Sequence, residues 1–297
     1  MYYVIFGAFN EFLKESDQAK PFENVDEIDQ TDLPNILNCT DFKKSLHTFF
    51  MKRLQTVDWI LKKYLQEEID SASNIDFLFV LDDKLSHSFR KKLFPEYKAT
   101  RKLKKQAFNV QKVKDYIVDV LIPELQLEDK FCYKLVKVQE AEGDDVIAAT
   151  MRNFNDYMLK VLIASDKDFL QIEGIRQFNL DGKEVKRTIA DIEDELTSTE
   201  FLLWKIIRGD VSDNIKSCFE KYGDKKSYKL VKDNDTLRKM LTENADARRQ
   251  FALNKSLIDF TQMPSELNDK IVKEVTTALA GIKRKSCDIS VSDLMDL

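Results

Sequence analysis

Histidine and cysteine are scarce in this chain. Its 297 residues hold two histidines, His47 and His87, and four cysteines, Cys39, Cys132, Cys218 and Cys287. The cysteines are scattered and form no CxxC pair, so a zinc site is not expected. A reduced cytoplasm is their natural setting. No run of residues approaches the ~18 consecutive apolar positions that a membrane span needs, so no membrane partner is expected. The first residues, MYYVIFGAFNEF, lack the charged start and small-residue cleavage site of a signal peptide. Glycine is also sparse, at seven residues, and no internal repeat is found. What remains suits a folded protein of one large or two modest domains, because 43% hydrophobic residues are enough to bury a full core.

A net charge of −5 argues at first sight against a nucleic-acid partner. The charge is segregated, however. Between His87 and Lys114 there are ten Lys/Arg residues and one acidic residue, Glu96. A block of that kind is often a solvated or mobile segment that meets phosphates. Acidic residues cluster in short groups elsewhere.

Four short β-rich runs, Tyr2–Phe6, Phe77–Leu81, Tyr133–Val138 and Val161–Ala164, read as buried strands. Between Leu46 and Leu65 the apolar residues Leu46, Phe49, Phe50, Leu54, Val57, Ile60, Leu61 and Tyr64 fit a 3.6-residue period. Val113, Ile117, Val120 and Leu121 give a second stripe, expected to stop near Pro123. Alternating strands and helices imply an α/β fold with a mostly parallel sheet, and ligands of such sheets sit beyond the carboxyl ends of the strands. After about Phe201 the pattern becomes helical.

The acids fall at those ends. Asp82 and Asp83 follow the second strand. Glu140, Glu142, Asp144 and Asp145 follow the third and open a helical run from Val146 to Met158. Asp166 and Asp168 follow the fourth. A later helix, with Thr197 and Glu200 at capping-box spacing, runs into Asp210 and Asp213. One aspartate at a strand end is usually a turn or N-cap residue. Many on one edge are costly, since carboxylates ~4 Å apart repel by about 4 kcal/mol at an effective dielectric near 20. Oxygen ligands without His or Cys select hard ions such as Mg²⁺ or Mn²⁺, and two such ions can clamp a phosphodiester. The residues alone leave both readings open, a row of caps or a metal site.

The segments FRKKLFPEYKATR, EAEGDDVIA, ASDKDFLQ and GDVSDNI occur in an order and spacing that resembles the 5′-nuclease superfamily. That family includes flap endonucleases, the 5′-nuclease domains of bacterial DNA polymerases and phage exonucleases. With NKSLIDFTQMP, the resemblance is nearest to the T-even phage ribonuclease H type and covers roughly residues 77–265. It implies a PIN-like or 5′-nuclease fold, with a nuclease core over 1–205, a basic arch or loop over about 84–114 and a helical DNA-binding region over 206–297. It implies one Mg²⁺ at Asp82, Glu142 and Asp144, with Asp145 beside them, and a second at Asp166, Asp168, Asp210 and Asp213; Mn²⁺ would substitute. Lys98 and Arg101 match the family's basic residues over the scissile phosphate, and Arg90 matches another on that element. Tyr97 is placed either to stack on an unpaired base or to pack against the arch. Lys102, Lys104 and Lys105 are expected to attract the backbone.

The family's next element is a helix–three-turn–helix that binds K⁺ and duplex. Here it is degenerate: Gly223 fits its end, but Ser217 and Glu220 stand among the earlier glycine positions, which leaves the K⁺ site in doubt. Lys216, Lys221, Lys225 and Lys226 remain to meet the duplex. The first strand departs further. The family carries a metal-ligand Asp where this chain has Gly7, with Asn10 matching the family's Asn. A one-residue shift puts Phe6 there, and the nearest carboxylate is Glu11. This implies impaired catalysis, unless water or Asp83 completes the shell. The tail DISVSDLMDL, with anchors from Val291 to Leu297, resembles peptides that dock on a sliding clamp. A frayed tail or packed short helix is the other reading. The implied activity is removal of RNA primers or 5′ flaps during phage DNA replication by a monomer, acting on flap DNA or RNA–DNA hybrid, with a single-strand-binding protein as a further partner. The alternatives are a non-catalytic structure-specific DNA binder and a PIN-type endoribonuclease.

Overall fold

The computed structural model describes residues 2–6, 37–70, 75–83, 85–99, 110–124, 132–155 and 159–281. Its strands are β1 (Tyr2–Phe6), β2 (Ile75–Leu81), β3 (Cys132–Lys137), β4 (Leu159–Ile163) and β5 (Arg176–Phe178). They form one sheet in the order β3-β2-β1-β4-β5, with every pair parallel. Helices carry most of the rest, so the fold is α/β, mostly helical around a small parallel sheet. The four expected strands are present. β5 was not foreseen: it has only three residues, and Phe178 is its fully buried anchor.

Alternation along the strands separates two cores. Phe77, Phe79, Val161, Ile163 and Phe178 face helix α1 (Thr40–Asp70), which buries Phe42, Leu46, Phe50, Leu54, Val57, Ile60 and Leu61. Leu78, Val80, Val136 and Leu162 face the other way. Each such buried side chain contributes ~1.5–3 kcal/mol of transfer free energy.

After α2 (Phe89–Leu93), the second predicted helical stripe forms α3 (Val110–Tyr116). It continues through a π-turn, Ile117–Leu121, into Ile122–Glu124. Its last described helical residue, Glu124, lies one position past Pro123, close to the expected stop. A proline lacks an N–H and crowds the preceding turn, and the wider π-turn beside it relieves that conflict. The extra residue also moves the stripe, so that Ile122 joins Val113, Ile117 and Leu121 in the core where Val120 was expected.

Helix α4 (Gly143–Asn153) ends earlier than the expected Met158. Asn153 turns its amide back onto the carbonyl of Ala149 at 2.8 Å, a local bond that competes with continuing the helix. The C-terminal half contains α5 (Ser198–Arg208), α6 (Asp224–Lys232), α7 (Asn234–Glu243), α8 (Ala245–Ile258) and α9 (Ser265–Ala280). The Thr197/Glu200 capping box opens α5 as expected. Helix α9 returns to the sheet: Leu267, Ile271, Val275 and Leu279 share a core with α4, Leu78 and Val80. No helix of the described residues is long and apolar enough to cross a membrane.

Candidate active site

The acids gather at the carboxyl edge of the sheet. Just beyond β2, Asp82 accepts the Gly143 amide at 2.6 Å. A Cβ at position 143 would lie 2.8 Å from the same oxygen, so the approach requires glycine. Asp83 turns away, accepting the Glu140 amide at 2.9 Å and lying 2.9 Å from His87 Nδ1. That carboxylate is occupied by bracing the β3–α4 loop.

Glu142 is the N-cap of α4, and its amide donates to Asp145 in a capping box. Its own carboxylate accepts Ser88 Oγ at 2.6 Å and the Lys98 ammonium. Asp145 is fully buried and binds Arg90 at 2.6 Å, while Arg90 Nε donates to the carbonyl of Leu257 at 2.7 Å. Arg90 is thus placed inside the molecule, sandwiched against Phe89 and Phe260. It joins the foot of the basic segment to α4 and α8.

After β4, Asp166 uses one oxygen to cap a short 3-10 turn through the Asp168 amide, at 2.9 Å. Asp210 does likewise: its Oδ1 accepts the Ser212 amide at 2.9 Å, and its Oδ2 lies 3.1 Å from the Lys205 ammonium. The same ammonium contacts Asp168. At Asp166 and Asp210 one carboxylate oxygen thus caps a turn, and the second oxygen of Asp210 meets Lys205. Lys205 was not foreseen. Its signal was a single charge within the apolar stretch Phe201–Ile207.

The loop after α5 is pinned by Gly209, whose φ of 73° and close approach to the Lys216 carbonyl exclude a side chain, and by paired backbone bonds between Asp210 and Ile215. It also holds the basic segment. The carbonyl of Asp213 accepts the Lys98 amide at 2.9 Å, Asn214 donates to the Glu96 carbonyl at 2.9 Å, and Tyr97 OH donates to the Asp213 carboxylate at 3.1 Å. Tyr97 is buried among Ile206, Ile215, Leu257 and Ile258 and also lines the cavity at this edge.

These contacts set the charges. Burial, with Asp166, Asp82 and Glu142 nearby, pushes Asp144 well above its ordinary pKa although Lys98 opposes. Burial likewise raises Asp168 to about 6 against the pull of Lys205. Burial also acts on Glu142 and Asp210, but the nearby cations outweigh it: Lys98 and Arg90 hold Glu142 low, and Lys205 holds Asp210 low. A cavity of about 190 Å³ opens here, lined by Asp144, Asp166, Asp168, Lys205, Asp210 and Asp213 among others. Its donors are all oxygens, the chemistry of Mg²⁺ or Mn²⁺. Among the described residues, no group of three or more His, Cys, Asp or Glu side chains is disposed as it stands to hold a metal ion. Donor type fits such an ion, whereas present side-chain directions serve caps and lysines.

Lys216, Lys221, Lys225 and Lys226 all lie exposed on or after the Asp210 loop. Lys225 pairs with Asp191 at 3.2 Å, and Lys226 lies over the Tyr222 ring. Gly7, Asn10, Glu11, Arg101, Lys102, Lys104, Lys105 and the 288–297 tail lie outside the described residues.

Residues 52–198 match a family model described as the 5′-3′ exonuclease, N-terminal resolvase-like domain. A 5′-3′ exonuclease of Buchnera aphidicola is 28% identical over 166 residues, 54% of this chain and 52% of the relative. A DNA polymerase I of Caldicellulosiruptor bescii is 27% identical over 188 residues, 60% of this chain and 20% of the relative. The match thus spans about half the length of the first relative and a fifth of the second. Among solved structures, T5 5′-exonuclease with bound divalent zinc superposes with a TM-score of 0.59 at 16% identity, covering 94% of this chain and 100% of that one. The bacteriophage T5 flap endonuclease in a pseudo-enzyme–product complex with DNA and metal ions gives 0.54 at 15% identity, with the same two coverages of 94% and 100%. These likenesses show the shared fold, and over residues 52–198 the chain is similar to the 5′-3′ exonuclease N-terminal resolvase-like domain.

Proposed function

We propose that this chain is a divalent-metal-dependent 5′→3′ nuclease that removes RNA primers or 5′ flaps during DNA replication, with its activity held down by Gly7. The observation that carries the reading is the meeting of Asp82, Asp144, Asp166, Asp168 and Asp210 at one sheet edge, beside the foot of a basic segment. Asp82, Glu142 and Asp144 would hold one Mg²⁺; Asp166, Asp168, Asp210 and Asp213 would hold the other. When bound, the ions would neutralise the phosphate and acidify the attacking water. Hydrolysis breaks the P–O3′ bond and leaves a 5′-phosphate.

The chain's own cations handle the substrate. Lys98, at the cluster rim, and Arg101 are the groups to stabilise charge growing on the phosphate oxygens. Arg90 serves by holding Asp145 and the start of α4. Lys102, Lys104 and Lys105 draw in the backbone, and Lys216, Lys221, Lys225 and Lys226 meet the duplex. The Val291–Leu297 tail is the proposed contact for a sliding clamp. The narrower kinship with T-even ribonuclease H, and a single-strand-binding protein as partner, belong to the same proposal.

A second reading is a structure-specific DNA binder without catalysis. It is favoured by Gly7 and by carboxylates that now serve lysines and caps. The deciding assay follows 5′-labelled flap, nicked and RNA–DNA hybrid substrates in Mg²⁺ and Mn²⁺, with Asp168→Asn as control. Metal-dependent cleavage that Asp168→Asn abolishes supports the nuclease. Tight flap binding without turnover in either metal supports the binder.

A further inference from the structure

Helix α5 is apolar from Phe201 to Ile207 except at Lys205, which is 7% exposed. A lysine so placed must lose hydration, and it persists where carboxylates replace the water. Lys205 reaches two of them on different elements, Asp168 after β4 and Asp210 after α5, the latter at 3.1 Å. At the other end of the cluster, Lys98 contacts Glu142 and lies 3.9 Å from Asp213. Between these ends, Asp144 is crowded by Asp166 and Asp82. The edge therefore has an under-neutralised centre and a half, Asp168–Asp210, that already carries a tethered cation.

We propose that Lys205 is a positioning residue that grades the two ion sites. The first divalent ion enters at the under-neutralised centre, beside Asp82 and Asp144. The second enters at Asp168 and Asp210 only as Lys205 gives up its two contacts. Like charges compete for the same oxygens, so the second ion binds more weakly than the carboxylates alone would allow. This deepens the metal-dependent reading above and rests on it.

The test is calorimetric titration of the full chain with Mn²⁺ in the absence of nucleic acid, on the parent and on Lys205→Met, Lys205→Gln, Lys205→Arg and Asp144→Asn. The parent should bind one ion at least about tenfold more tightly than a second. Lys205→Met should tighten the second ion about tenfold or more and leave the first nearly unchanged. Lys205→Arg, which keeps the charge, should behave as the parent. Lys205→Gln gives the answer should the methionine variant fail to fold. Equal second-ion affinity in the parent and the folded neutral variant overturns the role of Lys205, while the metal reading survives. No Mn²⁺ binding by the parent, with Asp144→Asn indistinguishable from it, overturns both.

Discussion

Arg90 and Asp145 form a buried ion pair at 2.6 Å, with side chains 4% and 0% exposed. They are 55 residues apart in sequence, and the bond fixes the foot of the basic segment to the start of α4. The second guanidinium contact, to the Leu257 carbonyl, brings α8 into the same joint. The acids of the site thus rest on a joint that is itself ionic.

Breaking that joint from either side strands a charge in the interior. Arg90→Ala or Asp145→Ala should each cost about 3–5 kcal/mol. Arg90→Lys should recover part of this, since one amine cannot serve both Asp145 and Leu257. Denaturant unfolding without metal checks the claim, with a double-mutant cycle to isolate the pair. A cost for Arg90→Ala below about 1 kcal/mol would show that the pair does not hold the site.

Gly143→Ala tests the approach of α4 to Asp82. Its Cβ would sit 2.8 Å from Asp82 Oδ1, so the carboxylate must swing away and lose the 2.6 Å amide bond. Overpacking of this kind costs about 1–3 kcal/mol. Stability should fall by that amount, and Mn²⁺ should bind more weakly because Asp82 no longer faces Asp144. Unchanged binding with lowered stability would take Asp82 out of the ion site.

Asp168 makes the stability of the metal-free protein depend on pH in an unusual direction. Its folded pKa, about 6, lies above the ordinary 3.8, so the fold holds this proton more tightly than the unfolded chain does. The contribution favours folding below about pH 4 and is lost as pH rises through 6, by at most about 3 kcal/mol. Measured in chelator, the stability of Asp168→Asn relative to the parent should therefore rise between pH 4 and 6.5. Divalent ions should reverse the trend by replacing the proton as counter-charge. A flat difference across that range would mean that Asp168 ionises as an ordinary carboxylate.

How much of this was written in the sequence follows from the range of each interaction. The strands of the sheet's centre were legible because a buried parallel strand is a short, continuous apolar run, and the acids after them marked the candidate edge. β5 was too short to carry a pattern, and the shifted stripe in α3 needed a π-turn that no spacing announces. Long-range pairing was the larger blind spot. Arg90 reads as one more cation in a basic block, and only the fold reveals that Asp145 has claimed it. Lys205 left a legible trace, one charge in an apolar helix, but its partners lie 37 and 5 residues away on other segments. Tyr97 shows the same limit, since an aromatic beside lysines suits base stacking and packing equally until its neighbours are known.

Gly7 follows the last residue of β1 in the sequence. The register of the resemblance puts it where the family carries a metal-ligand aspartate, and β1 lies between β2 and β4, whose ends lead to Asp82 and Asp166. In that register, Gly7→Asp would add a further carboxylate to the acids that follow β2 and β4. Each close acidic neighbour costs about 4 kcal/mol at 4 Å and an effective dielectric near 20 when no cation is present. The variant should therefore be less stable than the parent in chelator, regain stability in Mg²⁺, and cleave a 5′ flap about tenfold faster or more, the scale on which metal-site contacts affect activity. Melting with and without Mg²⁺, together with single-turnover cleavage, reads both effects. Equal cleavage rates in the parent and Gly7→Asp would refute the idea that this position limits catalysis, and equal melting in chelator would place residue 7 away from the acidic edge.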